Sequence, residues 1–252
     1  MQSVDLPQFG YRYIPGPFQY SAGVAALPGF AIERVRFAEP VPLDAGFARI
    51  EQYFRQSGLP LTAFCACELR SPAPFDDAGF RAFNRAYVGT LERWGMFRNE
   101  TNPVARSNVC PEIDPPSVPS FYAFSFVVPA LASMQTFVIA GSGEAEEGPG
   151  PYASRTVRFG DTSPDAIREK AIFVLGAMES RMNALGATWQ DTTDVQVYTV
   201  RDIHPFLGEQ IVQRGAARHG LTWHFNRPPV SGLEYEMDCR SIQTERVISA
   251  SG

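Results

Sequence analysis

The feature that most constrains the fold of this 252-residue chain is that it reads twice. In the second half, "TSPDAIREKAIFVLGAMESRMNALG" opens with Ser163 in an N-cap position and Pro164 in the first helical position. Ile167, Ala171, Val174, Leu175, Met178, Met182 and Leu185 recur every three or four residues, which predicts an amphipathic helix ending at Gly186. "DTTDVQVYTV" alternates with period two and predicts a strand. "RDIHPFLGEQIVQRGAARHG" predicts a second helix stopped by Gly220, and "LTWHFNRP" and "GLEYEMDCRSI" predict two strands around a "PPVSG" turn. Ahead of this unit, "MQTFVIAGSGEA" reads as a strand running into a Gly-rich loop at residues 141–150.

The first half repeats the order. "LDAGFARIEQYFRQSG" predicts a helix ending at Gly58, with Phe47, Ile50 and Phe54 on one face, and "LTAFCACEL" a strand. "FDDAGFRAFNRAYVGTLERWG" predicts a helix carrying Phe80, Phe83, Tyr87, Leu91 and Trp94 at core spacing and stopped by Gly95. Then come "NPVARSNVC", the Pro-rich turn "PEIDPPSVPS" and the apolar strand "FYAFSFVV". Gly58 and Gly186 are 128 positions apart, Gly95 and Gly220 125. Two copies of one supersecondary unit are expected, with the division near residues 128–134: domains 1–130 and 131–252. Helices alternating with strands in this way predict an α+β fold, each copy a mixed sheet of four to six strands with two helices on one face. "FYAFSFVV" is apolar on both sides, so the other sheet face must be covered by pairing between copies or between chains, and a homo-oligomer is expected.

Charge narrows the function. The net charge is −5, the arginines are dispersed and Lys170 is the single lysine, which argues against nucleic acid as a partner. No apolar run approaches the roughly 18 residues of a membrane span, and "MQSVDLPQFG" lacks the basic and apolar regions of a secretory signal. Four cysteines without framework spacing point to free thiols in a reducing compartment, so a cytoplasmic location is expected. The three histidines are scattered and form no metal signature.

"FVIAGSGEA", "EKAIFVLGAMESRMNALGATWQDTTDVQVYTVRDIHPF" and "RPPVSGLEYEMD" together resemble the Rid (YjgF/L-PSP) family over residues 135–243. The first half, from about residue 18 to 128, resembles it more faintly in the same order, with "VAR" near 106 similar to the family's Pro-Ala-Arg segment. The resemblance implies a tandem Rid-like protein with a chorismate-mutase-like fold and a trimeric assembly. It also implies hydrolytic deamination of an enamine or imine of 2-aminoacrylate or aminomuconate type, without metal or organic cofactor. In that family an arginine forks the substrate carboxylate and a glutamate on the last strand handles the attacking water.

Carried over by position, Arg106 matches the arginine, followed by Ser107, while Phe121 and Tyr122 stand where the first half would hold the glutamate. Glu234 matches the glutamate in the second half, and Glu236 replaces it if the register slips by two. Ser142 lies two residues beyond the Ala140 that replaces the strand serine. The expectation is a composite cleft in which Arg106 and Glu234 are catalytic, with Ser107, Cys110, Tyr122, Ser142, His224 and Arg227 as substrate contacts. The residues alone leave Arg106 as either a carboxylate fork or a partner of Glu112 or Asp114. They leave Cys110 as nucleophile or buried thiol, and His224 as proton carrier or structural side chain. Two alternatives share this architecture: a chorismatase-like lyase using Glu234 as proton donor, and an inactive binding protein.

Overall fold

The computed structural model describes residues 1–130 and 134–249; the expected division near 128–134 lies partly outside the described residues, at 131–133. The chain begins with four strands, β1 (Val4–Leu6), β2 (Tyr11–Ile14), β3 (Gly23–Ala26) and the long β4 (Phe30–Pro42). Helix α1 (Leu43–Ser57), β5 (Phe64–Arg70), α2 (Asp77–Arg93), β6 (Ala105–Pro111) and β7 (Ser120–Pro129) follow. Beyond them lie β8 (Phe137–Gly143), α3 (Pro164–Ala184), β9 (Asp194–Tyr198) and α4 (His204–Phe206), which runs on as one π-helical stretch, Leu207–Val212. The chain closes with β10 (Thr222–His224), β11 (Asn226–Arg227), β12 (Glu236–Ser241) and β13 (Glu245–Ile248).

Local chemistry accounts for the helices. The Asp76 carboxylate caps α2 by accepting from the Gly79 N–H at 2.6 Å, and the Ser163 hydroxyl caps α3 from Ala166 at 3.4 Å. Gly58, Gly95 and Gly186 follow α1, α2 and α3 with φ of +68°, +75° and +78°, the left-handed turn the sequence reserves for glycine.

The strands form two sheets, ordered β1-β2-β3-β8-β12-β9-β10 and β11-β6-β5-β7-β4-β13. One four-strand order occurs in both: β6-β5-β7-β4 matches β10-β9-β12-β8, with β5–β6 and β9–β10 parallel and the other pairs antiparallel. The connections match as well, since α1 and α3 precede β5 and β9, and α2 and α4 follow those strands. Segments also cross over. β1–β3 extend the second-half sheet through β3–β8, while β11 and β13 extend the first-half sheet. A cut at 130/131 therefore separates the four-strand units but divides both sheets.

Each sheet buries one face against its helices. Phe54, Phe64, Tyr87, Leu91, Phe121 and Phe126 belong to one apolar cluster, and Phe137, Val174, Met178, Val197, Met237 and Cys239 to the other. Each such phenylalanine contributes roughly 1.5–3 kcal/mol by burial. Along β12, Glu236, Asp238 and Arg240 alternate with Met237 and Cys239 and so point away from α3. They meet the first-half sheet instead: Ser107 donates to Asp238 at 2.5 Å, and Glu68 accepts from Arg240 at 3.2 Å and from Arg34 Nε and Nη2 at 2.7 and 2.8 Å. The two halves thus cover each other's open faces within one chain, through a buried polar layer.

Three expectations change in detail. The helix expected to reach Gly220 ends at Val212, because Gly215 turns the chain at φ +92° with its N–H on the Val212 carbonyl. "LTWHFNRP" is not one strand: β10 pairs with β9, the chain crosses at Phe225, and β11 pairs with β6 in the other sheet. The last long strand starts at Glu236 rather than at Gly232, because the N–H groups of Glu234 and Tyr235 donate to the Glu144 carboxylate at 2.6 and 3.1 Å.

Candidate active site

Where β6 passes β8, the two sheets come closest. A Cβ on Gly141 would collide with Glu236 Oε1 and lie 3.2 Å from the Ser107 backbone, so a side chain there would displace the Glu236 carboxyl. Beside this contact is a cavity whose wall includes Arg106 and Asn108 from β6, Gly141–Gly143 from β8 and Glu236 from β12. Arg181 from α3 and Phe80 from α2 complete the base, and Tyr152 and Arg155 reach in from the loop that follows β8. Both halves therefore contribute to one space.

Arg106 is 4% exposed. Its Nη2 donates to Asn84 Oδ1 at 2.5 Å and its guanidinium lies over the Tyr87 ring at 4.7 Å, while Nη1 has no hydrogen-bond partner. Asn108 resembles it: Oδ1 accepts from the Ser71 hydroxyl at 2.9 Å and Nδ2 is unpartnered. Buried donors left unmatched are uncommon, because each forfeits its hydration without replacement. Arg181, by contrast, donates to Ala140 O at 3.0 Å and to Glu147 Oε1 at 2.8 Å.

Glu236 is also buried. Burial raises its pKa well above the ordinary carboxylate range, Asp238 and Glu144 raise it further, and Arg181 and Arg106 only partly oppose them. Its carboxyl therefore holds a proton far more readily than an exposed glutamate does. An unmatched guanidinium nitrogen and a buried carboxyl of raised pKa on one cavity can hold an anion and move a proton next to it.

The loop that roofs the cavity has a fixed stem. Glu144 and Val157 pair through Val157 N to Glu144 O at 2.9 Å, and Glu146 N donates to Arg155 O at 3.1 Å. Lys170, wholly buried, reaches from α3 to Glu144 Oε1 at 3.1 Å and Val157 O at 2.8 Å. The Gly-rich loop expected at 141–150 thus begins inside β8 and continues into this pinned stem.

The eight residues singled out from the sequence separate into four groups. Arg106 and Ser142 line the cavity. Ser107, Tyr122 and His224 lie in the polar layer: Ser107 on Asp238, Tyr122 under the Arg70 guanidinium at 4.0 Å, and His224 stacked on Tyr198 at 5.0 Å with Nε2 2.7 Å from Gln196 Oε1. His224 is pulled down to about 4, chiefly by burial and then by Arg70, so its ring is neutral near pH 7. Glu234 and Arg227 form part-exposed ion pairs, with Arg201 at 2.8 Å and Glu112 at 2.6 Å, and neither lines the cavity. Glu112, one of the alternative partners considered for Arg106, is thus engaged by Arg227. Cys110 is a buried thiol pushed up to about 12, mainly by burial, which suits packing rather than nucleophilic attack.

The glutamate that faces Arg106 across the cavity is therefore Glu236, two residues beyond the matched position. Asn108, Arg155, Arg181 and Tyr152 were not singled out. Their one sequence signal is that "ARSN" continues a strand past the arginine, which places Asn108 two residues on, on the same face. The others come from a loop and a helix far away in sequence.

A cavity built by two like halves around a buried carboxyl and an arginine is a candidate site for a small molecule. The chain belongs to the 2-aminomuconate deaminase CnbZ family, whose pattern matches residues 3–246. It is 53% identical over 241 residues to a 2-amino-5-chloromuconate deaminase of Comamonas testosteroni, covering 95% of this chain and 96% of that protein. Among solved structures, a chorismatase shares 12% identity over 87% of this chain and 77% of its own, with a TM-score of 0.48. A cyanuric acid hydrolase from A. caulinodans shares 13% over 85% and 67%, with a TM-score of 0.42. Among the described residues no helix is long and apolar enough to cross a membrane.

Proposed function

We propose that this protein hydrolytically deaminates an enamine or imine of aminomuconate type, with Arg106 binding the carboxylate beside the C–N carbon and Glu236 as acid and base. The observation that carries the reading is the pairing, on one cavity, of an unmatched buried Arg106 Nη1 with the buried Glu236 carboxyl, whose pKa is raised. Family membership and the 53% identical deaminase support the substrate class.

In the first step Glu236 gives its proton to the enamine carbon, converting C=C–NH2 to C–C=NH2⁺. The carboxylate so formed takes a proton from the water that attacks the C=N carbon. It returns that proton to the nitrogen as the carbinolamine collapses, so ammonia leaves, a carbonyl remains, and Glu236 takes up the hydroxyl proton to regain its starting form. Arg106 would hold the adjacent carboxylate and favour attack by withdrawing charge. The carbon chemistry needs no redox partner, since water is the one co-reactant.

The finer reading of the chain belongs to the same proposal: two Rid-like copies, 1–130 and 131–252, associated as a trimer in the cytoplasm. The repeated four-strand order supports the duplication. The test is ammonia and keto-acid release from aminomuconate-type substrates, followed against the spontaneous rate. Acceleration lost in Glu236→Gln and Arg106→Gln is expected; no acceleration by the wild-type protein overturns the proposal.

A further inference from the structure

Three arginines line the cavity, and they are not equivalent. Arg181 is held by two carbonyls and Glu147. Arg106 and Arg155 each keep a buried N–H without a partner, Nη1 in one and Nε in the other. Arg155 stands on the returning side of the pinned loop. Its guanidinium stacks on the Tyr152 ring at 3.9 Å, and its Nη1 donates to the Glu146 carbonyl. Stacking and that bond fix the plane of the fork while leaving Nε unmatched. The rest of the cavity wall includes Phe80, Val230 and Leu233. A ligand that satisfies both arginines carries an acidic group at each end of a flat apolar middle.

We propose that Arg155 is the specificity-determining residue of this site, binding the substrate's second carboxylate while Arg106 binds the first. The assignment rests on the function proposed above, but it is tested apart from turnover. Arg155 acts on a group remote from the reacting carbon, so its contribution falls on binding and on discrimination between di- and monocarboxylates. The loop stem, held by Lys170 and Glu144, keeps the second fork at a set distance from the first, so chain length is read as well as charge.

Muconate and sorbate share a six-carbon diene skeleton and differ by one carboxylate, and neither carries an amine to be hydrolysed. Calorimetric titration of the wild-type protein is expected to show muconate binding about tenfold to a hundredfold tighter than sorbate, the range of one charge-assisted contact. In Arg155→Gln the muconate affinity falls to near that of sorbate, and sorbate affinity stays within about twofold. Arg155→Lys, which keeps the charge but not the fork, recovers part of the preference. Equal affinity for the two ligands in the wild-type protein, or equal weakening of both by Arg155→Gln, overturns the assignment. Loss of ammonia release with the muconate preference intact would instead overturn the proposed reaction and leave the two-ended grip standing.

Discussion

Because β6 corresponds to β10 and β12 to β7 in the repeated strand order, the molecule offers the same junction twice. At one junction stand Arg106 and Glu236, around a cavity and with donors unmatched. At the other stand His224 and Tyr122, ring against ring at 6.5 Å edge to face, with Arg70 packed over Tyr122 at 4.0 Å. The first has kept polar groups that nothing inside the protein satisfies. At the second, Arg70 Nη2 is likewise unmatched, but aromatic rings and the Glu68–Arg34–Arg240 ion cluster occupy the space between the sheets. The difference teaches that one frame can serve both purposes: an open junction for a ligand, a filled one to hold the halves together.

The sharpest way to break the comparison is Glu236→Gln set beside Tyr122→Phe and His224→Gln. Removing the acid is expected to lower kcat about a thousandfold, within the usual range for general acid–base groups. The changes at the filled junction are expected to leave kcat within about threefold; comparable losses at both would mean that the second junction is also catalytic. The Glu236 change has a thermodynamic signature too. A carboxyl whose folded pKa is raised holds a proton that the unfolded chain releases above about pH 4.5, so wild-type stability falls as pH climbs through the window up to the raised pKa. Denaturant melts should show wild type and Glu236→Gln alike below pH 4, with the Gln variant gaining as pH rises. The opposite trend would mean that Glu236 is ionised in the fold.

Arg106→Gln is expected to reduce kcat/KM by about a hundredfold, since a bidentate charge-assisted contact is lost in a desolvated site. Gly141→Ala should cost a similar factor by displacing the Glu236 carboxyl, with nothing else inserted into the cavity. A fully active Gly141→Ala enzyme would show that Glu236 is free to stand elsewhere.

At the filled junction the expected effect is on stability. Glu68 has its pKa held below the ordinary range: burial raises it, but the charges of Arg34 and Arg240 outweigh that, aided by the Arg34 hydrogen bonds. Its stabilising contribution is present above its unfolded pKa near 4.5 and is lost as pH falls towards the depressed folded value. Glu68→Gln leaves buried guanidinium groups partly unpaired and should cost about 3–5 kcal/mol at pH 7 while sparing activity per folded molecule. The variant's melting should also depend less on pH below 4.5 than that of the wild type.

Much of this frame is legible in the sequence. The helices at 43–57, 77–93 and 164–184 announce themselves through apolar residues at three- and four-residue spacing and a glycine stop, the last two also through a capping residue. The expectation of a cleft shared by both halves also comes from the sequence, since Arg106 has no glutamate in its own half at the matching place, and the cavity is lined from both. The N-terminal strands β1–β3, which join the second-half sheet, leave no such mark, because their pairing partner lies more than a hundred residues away. The charged interlayer is equally silent. Glu68, Arg70 and Arg240 look like solvent-facing positions in alternating strands, and only the second sheet turns that face into an interior.

The smallest predicted effect is also the one most exposed to this ambiguity. "GLEYEMD" has glutamates at 234 and 236 that alternation alone places on the same face. The tie is broken by Glu144, whose carboxylate takes the N–H groups of Glu234 and Tyr235 and holds that segment out of the ladder. Glu234 then reaches Arg201 at 2.8 Å in a part-exposed pair, an interaction worth about 0.2–1 kcal/mol. Glu234→Gln is therefore expected to leave kcat and KM within about twofold and to shift the denaturation midpoint only slightly. A large loss of kcat in Glu234→Gln with full activity in Glu236→Gln would exchange their roles and return the acid to the register first read from the strand.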